Sequence, residues 1–200
     1  MFDEKRKLVE PGYDCVAGDY HRQRELHSEQ GLLERFAALL PPAGQLLDIG
    51  CGAGVPIAKF FSDRGYAVVG IDLSQAMLDL AKVNVPDGRF LKGDMLELNF
   101  PEASCQAVVC CRALVHLPRE EHERVLSGME RVLSPGGALL LVTGHKAWEG
   151  VEEFLGVQMY WSHFGPEWYL ARVEQLGLTV KFCEIIEHDG ERHNWLMAVK

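Results

Sequence analysis

The sequence predicts an α/β protein: a three-layer sandwich built on a seven-stranded, mostly parallel sheet. Three observations carry that expectation. Short apolar runs alternate with amphipathic helical stretches through most of the 200 residues, the pattern of a parallel sheet covered by helices. Residues 46–54, Leu-Leu-Asp-Ile-Gly-Cys-Gly-Ala-Gly, run a buried strand into three alternate glycines, and an amphipathic stretch over 55–64 follows directly. The chain ends in two strands joined by a tight polar turn around Asp189-Gly190, which makes an antiparallel hairpin.

The elements follow in order. Residues 1–19 are polar and expected to be loose until Tyr13, with the basic cluster Lys5-Arg6-Lys7 in a frayed terminus. Over 20–40, Leu32, Leu33, Phe36, Leu39 and Leu40 share one helical face, and Pro41-Pro42 stops the helix. The first strand spans 45–49 and the second 67–71, and Ser74 is placed to cap a helix over 75–83. A third strand at 89–91 enters Gly93-Asp94-Met95, and a fourth spans 107–111. Residues 120–133 form an amphipathic helix, with Val125, Leu126, Met129, Val132 and Leu133 on one stripe. Pro135-Gly136-Gly137 ends it and opens the fifth strand, 138–143. The alternation then breaks. Residues 151–164 are rich in aromatics, Pro166 opens a helix that Gly177 closes, and strands at 179–186 and 194–199 complete the sheet. No repeat or low-complexity linker divides the sequence. One domain over 1–200 is therefore expected, with an N-terminal helical cap over 1–44 and a substrate-pocket insert over 145–165.

Composition narrows the function. The net charge is −9, and the one basic cluster lies at the N-terminus, which disfavours nucleic acid as a substrate. Six cysteines are scattered without a Cys-x-x-Cys pair, the usage of a reduced, cytoplasmic protein. No apolar run approaches membrane-spanning length, and no signal peptide is visible. Eight histidines include no His-x-x-x-His pair on a helix, so no metal is expected.

The glycine loop is the most informative stretch. Only a residue without Cβ lets the backbone turn this sharply and lets a ligand lie against it. A short glycine pattern alone says little; its weight comes from the strand before, the helix after, and Asp72 at the end of the next strand. The stretch Asp48-Ile49-Gly50-Cys51-Gly52-Ala53-Gly54 resembles the first motif of the class I S-adenosylmethionine-dependent methyltransferases. Dinucleotide-binding domains carry Gly-x-Gly-x-x-Gly instead. Asp48 also separates the two, because a carboxylate repels a pyrophosphate but suits a sulfonium and an ammonium group. The resemblance covers residues 13–200 and is strongest over 46–143. It implies a Rossmann-like sheet whose terminal hairpin inserts its last strand.

The resemblance also implies roles for residues at the carboxyl ends of the strands. Gly50, Cys51 and Gly52 would pack their backbone against the methionine part of S-adenosylmethionine. Asp72 would accept the ribose hydroxyls; its alternative role is to cap the helix after Ser74. Leu73 and Met77 would flank the adenine, and Met77 is equally placed for helix core. In Gly93-Asp94-Met95 the acid would take the adenine amino group. Cys111 and Arg112 end the fourth strand beside the amino-acid end of the cofactor, where Arg112 is also placed to pair with a substrate acid. Tyr13 and Tyr20 match a tyrosine pattern that precedes the first motif in small-molecule members and covers the cofactor.

Methyl transfer needs an aligned nucleophile, and a hydroxyl or thiol acceptor also needs a base. His116, just after the fourth strand, is the first candidate; its alternative role is to pack or cap the following helix. His163 is the second and His145 the third, with Trp148 and Tyr160 expected to wall a small apolar acceptor. The fourth strand lacks the Asn/Asp-Pro-Pro-aromatic sequence of base-amino methyltransferases, and no Pro-Cys nucleophile occurs. A small-molecule methyltransferase, monomeric or homodimeric and away from membranes, is the expectation. The alternatives are an NAD(P)-dependent oxidoreductase and a non-catalytic binding protein of the same fold.

Overall fold

The computed structural model describes residues 4–26, 29–188 and 190–200, without the side chains of 24–26. Its main sheet has seven strands: β1 (Gln45–Ile49), β2 (Ala67–Asp72), β3 (Arg89–Lys92), β4 (Cys105–Cys111), β5 (Leu133–Gly144), β8 (Thr179–His188) and β9 (Glu191–Val199), in the order β3-β2-β1-β4-β5-β9-β8. The first five are parallel, and β9 lies antiparallel between β5 and β8. The remaining two strands, β6 (Trp148–Phe154) and β7 (Val157–His163), form a separate antiparallel hairpin.

Strand alternation sends neighbouring side chains to opposite helical layers. Leu47, Ile49, Val108 and Cys110 face α5 (His122–Val132) and α6 (Pro166–Gln175). Leu46, Ala107 and Val109 face α2 (Gln30–Ala37), α3 (Ile57–Ser62) and α4 (Gln75–Asn84). Cys110 and Cys111, adjacent in sequence, thus belong to different cores. The helix α5 buries the stripe expected of it, and Ser74 caps α4 by accepting the Met77 N–H at 3.2 Å.

Several elements differ from expectation. The N-terminal segment is not loose. A 3-10 turn at Arg6–Leu8 leads into α1 (Val9–Leu26), which begins before Tyr13. Tertiary contacts hold it there: Val9 packs with Met159 and Tyr160, and Asp14 Oδ1 accepts from Ser74 Oγ at 2.6 Å and from the Ala76 N–H at 3.1 Å. The helix expected over 20–40 is two helices, α1 and α2, separated at Glu29, which is buried against Arg112. The helix at 55–64 shortens to α3, and the one at 120–133 begins as a 3-10 turn at Arg119–Glu121. Strand β5 starts at Leu133, so Pro135-Gly136-Gly137 lies within it as an irregularity opposite the shift between Cys105 and Ala107. The terminal hairpin is longer than expected; of its turn, Gly190 has φ +81°, and Asp189 lies outside the described residues.

Residues 145–165, an aromatic insert without assigned strands in the sequence reading, contain the β6–β7 hairpin. Its two-residue turn, Leu155-Gly156, has positive φ at both positions, 51° and 84°. That geometry strains leucine, whose Cβ disfavours the left-handed region, whereas asparagine tolerates it. Leu155→Asn is expected to stabilise the protein by about 0.5–1 kcal/mol, read as a raised urea midpoint with an unchanged slope.

Candidate functional site

The carboxyl ends of β1, β2 and β4 converge on a cleft that is partly open to solvent. Its floor is the glycine turn. Gly50 (φ +71°) packs so closely on Ala113 that a Cβ there would stand 2.1 Å from the Ala113 Cβ. Gly52 (φ +52°) has no atom within 4 Å of that position, so its open side faces the cleft it lines. The N–H groups of Gly50 and Cys51 both donate to the Ile71 carbonyl, at 2.8 and 3.0 Å, which ties the turn to β2.

Two acids stand beside the turn. Asp72 Oδ2 accepts the Gly52 N–H and Oδ1 the Ser74 N–H, each at 2.9 Å. Burial pushes its carboxyl up from the ordinary range, and these backbone donors pull against it. Asp48 is 2% exposed; burial, and then the nearby Asp72, push its pKa up to about 7. Cys51 also lines the cleft, and burial holds its thiol protonated.

Leu73, Met77, Met95, Cys111 and Arg112 complete the lower walls. Met77 is 1% exposed in a small core with Ala17 and Ala53, the core role expected as its alternative, and it also lines the cleft. Arg112 sits in the left-handed region (φ 58°), paired with the buried Glu29. Gly93 lines the cleft but Asp94 does not; Asp94 Oδ2 accepts from Arg6 Nη2 at 2.6 Å and Oδ1 accepts the Leu96 N–H at 2.9 Å.

The 3-10 turn and the helix α1 roof the cleft, the first with Arg6 and the second with Val9, Glu10, Tyr13 and Tyr20. His116 lies beneath the helix. Its Nδ1 is 2.8 Å from the Tyr160 carbonyl, which only accepts, so Nδ1 carries the proton. Its Nε2 therefore accepts from the Tyr13 hydroxyl, 2.7 Å away. Burial lowers the His116 pKa to about 4, so the ring is neutral at physiological pH with Nε2 a proton acceptor.

A second cavity, partly open to solvent, adjoins the first, and Tyr13, Tyr20 and Arg112 line both. Phe154, Trp161 and His163 form its far side. Burial also lowers the His163 pKa. The two candidate histidines thus belong to neighbouring cavities. Trp148 and Tyr160, expected as pocket walls, line neither: Trp148 is 39% exposed at the start of β6, and Tyr160 is buried. Trp161, on the face of β7 opposite to Tyr160, and Phe154, at the other end of β6 from Trp148, line the second cavity instead. His145 lies outside both cavities, with Nδ1 3.0 Å from the Arg192 carbonyl. Sequence reasoning missed Arg6, Glu10 and Phe154. Only the basic cluster at 5–7 hinted at the first.

Comparison with known proteins agrees with the architecture. Residues 46–137 match a family described as methyltransferase domain. The putative methyltransferase YqeM of Bacillus subtilis is 35% identical over 78% of this chain and 68% of its own length. The malonyl-[acyl-carrier protein] O-methyltransferase of Serratia marcescens is 30% identical over 69% of this chain and 53% of its own. The chain likewise spans only 60% and 43% of two other curated relatives. The solved 1,6-didemethyltoxoflavin-N1-methyltransferase of Burkholderia thailandensis shares the fold at 16% identity, with a TM-score of 0.77 over 97% of this chain and 88% of that one.

The raised Asp48 pKa gives a stability prediction. Its ordinary value is 3.8 and its folded value about 7, so the neutral form is the one the fold favours. Stability from this group is complete below the ordinary value and is lost as pH rises towards and through 7. Asp48→Asn should match wild type in urea unfolding at pH 4 and exceed it at pH 8, by ~4 kcal/mol at most. Equal stability at pH 8 contradicts this.

Proposed function

Because the chain belongs to the class I S-adenosylmethionine-dependent methyltransferase family, we propose that it transfers a methyl group from S-adenosylmethionine to a small-molecule acceptor. The observation that carries this reading is the cleft at the strand ends, with an open glycine face at Gly52 and two carboxyls, the buried Asp48 and the half-buried Asp72, on one wall. An anionic wall fits a ligand with a sulfonium and an ammonium group and opposes the pyrophosphate of a dinucleotide. When bound, the cofactor supplies a methyl group already activated by positive sulfur.

Each residue then has a task. The backbone of Gly50, Cys51 and Gly52 holds the amino-acid portion, with Cys111 and Arg112 closing that end. Asp48 faces the cationic groups. Asp72, oriented by the Gly52 and Ser74 N–H groups, accepts from the ribose hydroxyls. Leu73, Met77 and Met95 pack on the base, and Tyr20 covers the site.

The acceptor occupies the second cavity. Its aromatic walls (Tyr13, Tyr20, Phe154 and Trp161) suit a compact, largely apolar molecule, and Arg112 is already paired with Glu29. The Serratia relative is named for an acyl-carrier-protein substrate and the Burkholderia relative for a heterocycle; the aromatic lining here favours the second kind.

His116 is the base and acts through Tyr13, whose hydroxyl already donates to Nε2. As the acceptor loses its proton to the Tyr13 oxygen, the Tyr13 proton moves to Nε2, and Nδ1–H stays on the Tyr160 carbonyl. Burial alone makes a charged imidazole unfavourable. Transfer, however, removes the sulfonium charge from the same enclosed space, so one positive charge replaces another. His163 hydrogen-bonds the acceptor from the far wall.

Thermal unfolding in the presence of S-adenosylhomocysteine, S-adenosylmethionine and NAD tests the cofactor, since a ligand of the native state raises the midpoint. The first two should raise it and NAD should not. Asp72→Ala should weaken S-adenosylhomocysteine binding by about 10- to 100-fold, the loss of a charge-assisted hydrogen bond. A shift with NAD alone overturns the reading.

A further inference from the structure

The second cavity carries a chemical preference of its own. Four rings on its wall, from Tyr13, Tyr20, Phe154 and Trp161, come from α1, β6 and β7 and meet edge to face. Tyr13 stands 5.6 Å from Tyr20 and 6.2 Å from Phe154, centroid to centroid, and Phe154 stands 5.8 Å from Tyr20 and 5.6 Å from Trp161. The planes of these pairs cross at angles from 62° to 82°. Rings at such angles form adjacent walls of a box, whereas stacked rings form a single surface.

A neutral apolar molecule occupies such a box by burial alone. The face of an aromatic ring is also electrostatically negative, so several rings around one point hold a cation, and methylated ammonium groups are recognised in this way. The other groups on the wall permit a cation. Arg112 is paired with the buried Glu29, and His193 Nδ1 lies 4.0 Å from the Glu191 carboxylate, so neither basic residue opposes a cation with its full charge. Burial disfavours the charged form of His163. The box also adjoins the base. Tyr13 is the residue that hydrogen-bonds His116, at 2.7 Å, and the Trp161 ring lies 4.4 Å from the His116 ring.

We propose that the acceptor atom is the nitrogen of an amine, and that the four rings hold the ammonium group it becomes. The proposal rests on the reading of the two cavities as cofactor and acceptor sites, and it names the acceptor class. A protonated amine in the box gives a proton to the Tyr13 oxygen as the Tyr13 proton moves to His116 Nε2. The freed lone pair forms the N–CH3 bond, the S–CH3 bond breaks, and its electron pair stays on sulfur as a thioether. Two positive charges are present before the step, on the ammonium and the sulfonium. Two remain after it, on His116 and the methylated nitrogen. The charge that leaves sulfur thus ends among the four rings. With an alkoxide or thiolate acceptor the same transfer cancels the charge, and a cation-holding box contributes nothing.

Three small molecules of similar shape separate charge from apolar fit. Choline carries a trimethylammonium group, 3,3-dimethylbutanol has carbon in place of that nitrogen, and 3,3-dimethylbutanoate is an anion. NMR titration of the protein saturated with S-adenosylhomocysteine compares them. Choline should bind about tenfold or more tightly than the alcohol, and the anion should bind most weakly. Trp161→Leu should weaken choline about tenfold and the alcohol by about threefold or less. Melting curves verify that each variant folds, and Phe154→Leu answers the same question if Trp161→Leu does not. An alcohol that binds as tightly as choline overturns the proposal, because the box is then an apolar pocket only. Tightest binding of the anion also overturns it and assigns the cavity to acids through Arg112. Binding of none of the three, by a protein that does bind S-adenosylhomocysteine, overturns it as well. A wild type that does not bind S-adenosylhomocysteine overturns the cofactor reading instead.

Discussion

A carboxyl group drawn away from water favours its neutral form, and this sheet places a buried one, Asp48, beside a half-buried one, Asp72, at its strand ends. Parallel pairing of β1 with β2 sets Asp48 opposite Gly70 and brings Asp72 to the same edge. The rest of the site is arranged around that pair. Backbone N–H groups from the glycine turn and from the start of α4 satisfy Asp72, so the turn cannot relax without releasing its charge. Asp48 receives no such support and sits near neutrality, poised to ionise when positive charge arrives. Ionising Asp48 beside Asp72 is costly here, and positive charge in the cleft would offset that cost.

The second layer of organisation comes from pieces outside the main sheet. The helix α1 lies between the cofactor loop and the β6–β7 hairpin, packing Ala17 towards Ala53 and Met77 and Val9 towards Met159 and Tyr160. Tyr13 extends from the middle of that helix to His116 and borders both cavities. The roof, His116 and the partition between the two cavities are thus parts of one packed unit. His122 extends the same logic behind the site. It is buried between the Leu117 carbonyl (3.0 Å) and the Tyr169 hydroxyl (2.9 Å), and Tyr169 in turn accepts the Phe164 N–H at 3.3 Å, so the loop after His116 and the end of β7 share one hydrogen-bonded chain.

The parts of this design that are legible in the sequence are local. The glycine spacing, the acid that ends β2, the cap at Ser74 and the antiparallel ending each declare themselves within a few residues, and each matches the architecture. What sequence left hidden depends on distant partners. Arg6 belongs to a basic cluster that looks like a frayed end until Asp94, far along the chain, provides its counter-charge. The hairpin at β6–β7 has little alternation to betray it, because β6 is exposed along most of its length. Its turn contains leucine at a position where glycine or asparagine is the usual signal. Without the turn the register is unknown, and a shift of one residue exchanges the faces of a strand. That is why Tyr160 looked like a pocket wall while Trp161, on the opposite face of β7, is one; Trp148 shares a face with Phe154 but stands at the other end of β6.

The central claim is that a cationic ligand draws out the charge of Asp48. Calorimetric titration with S-adenosylhomocysteine at pH 6.5, in buffers of different ionisation enthalpy, measures it directly. With an Asp48 pKa of about 7 in the free protein, the carboxyl is mostly protonated at that pH. The ammonium group of the ligand stabilises the ionised form, so binding should release about half a proton or more, and Asp48→Asn should release none. Binding to wild type with no proton release, or with the same release in Asp48→Asn, contradicts the account.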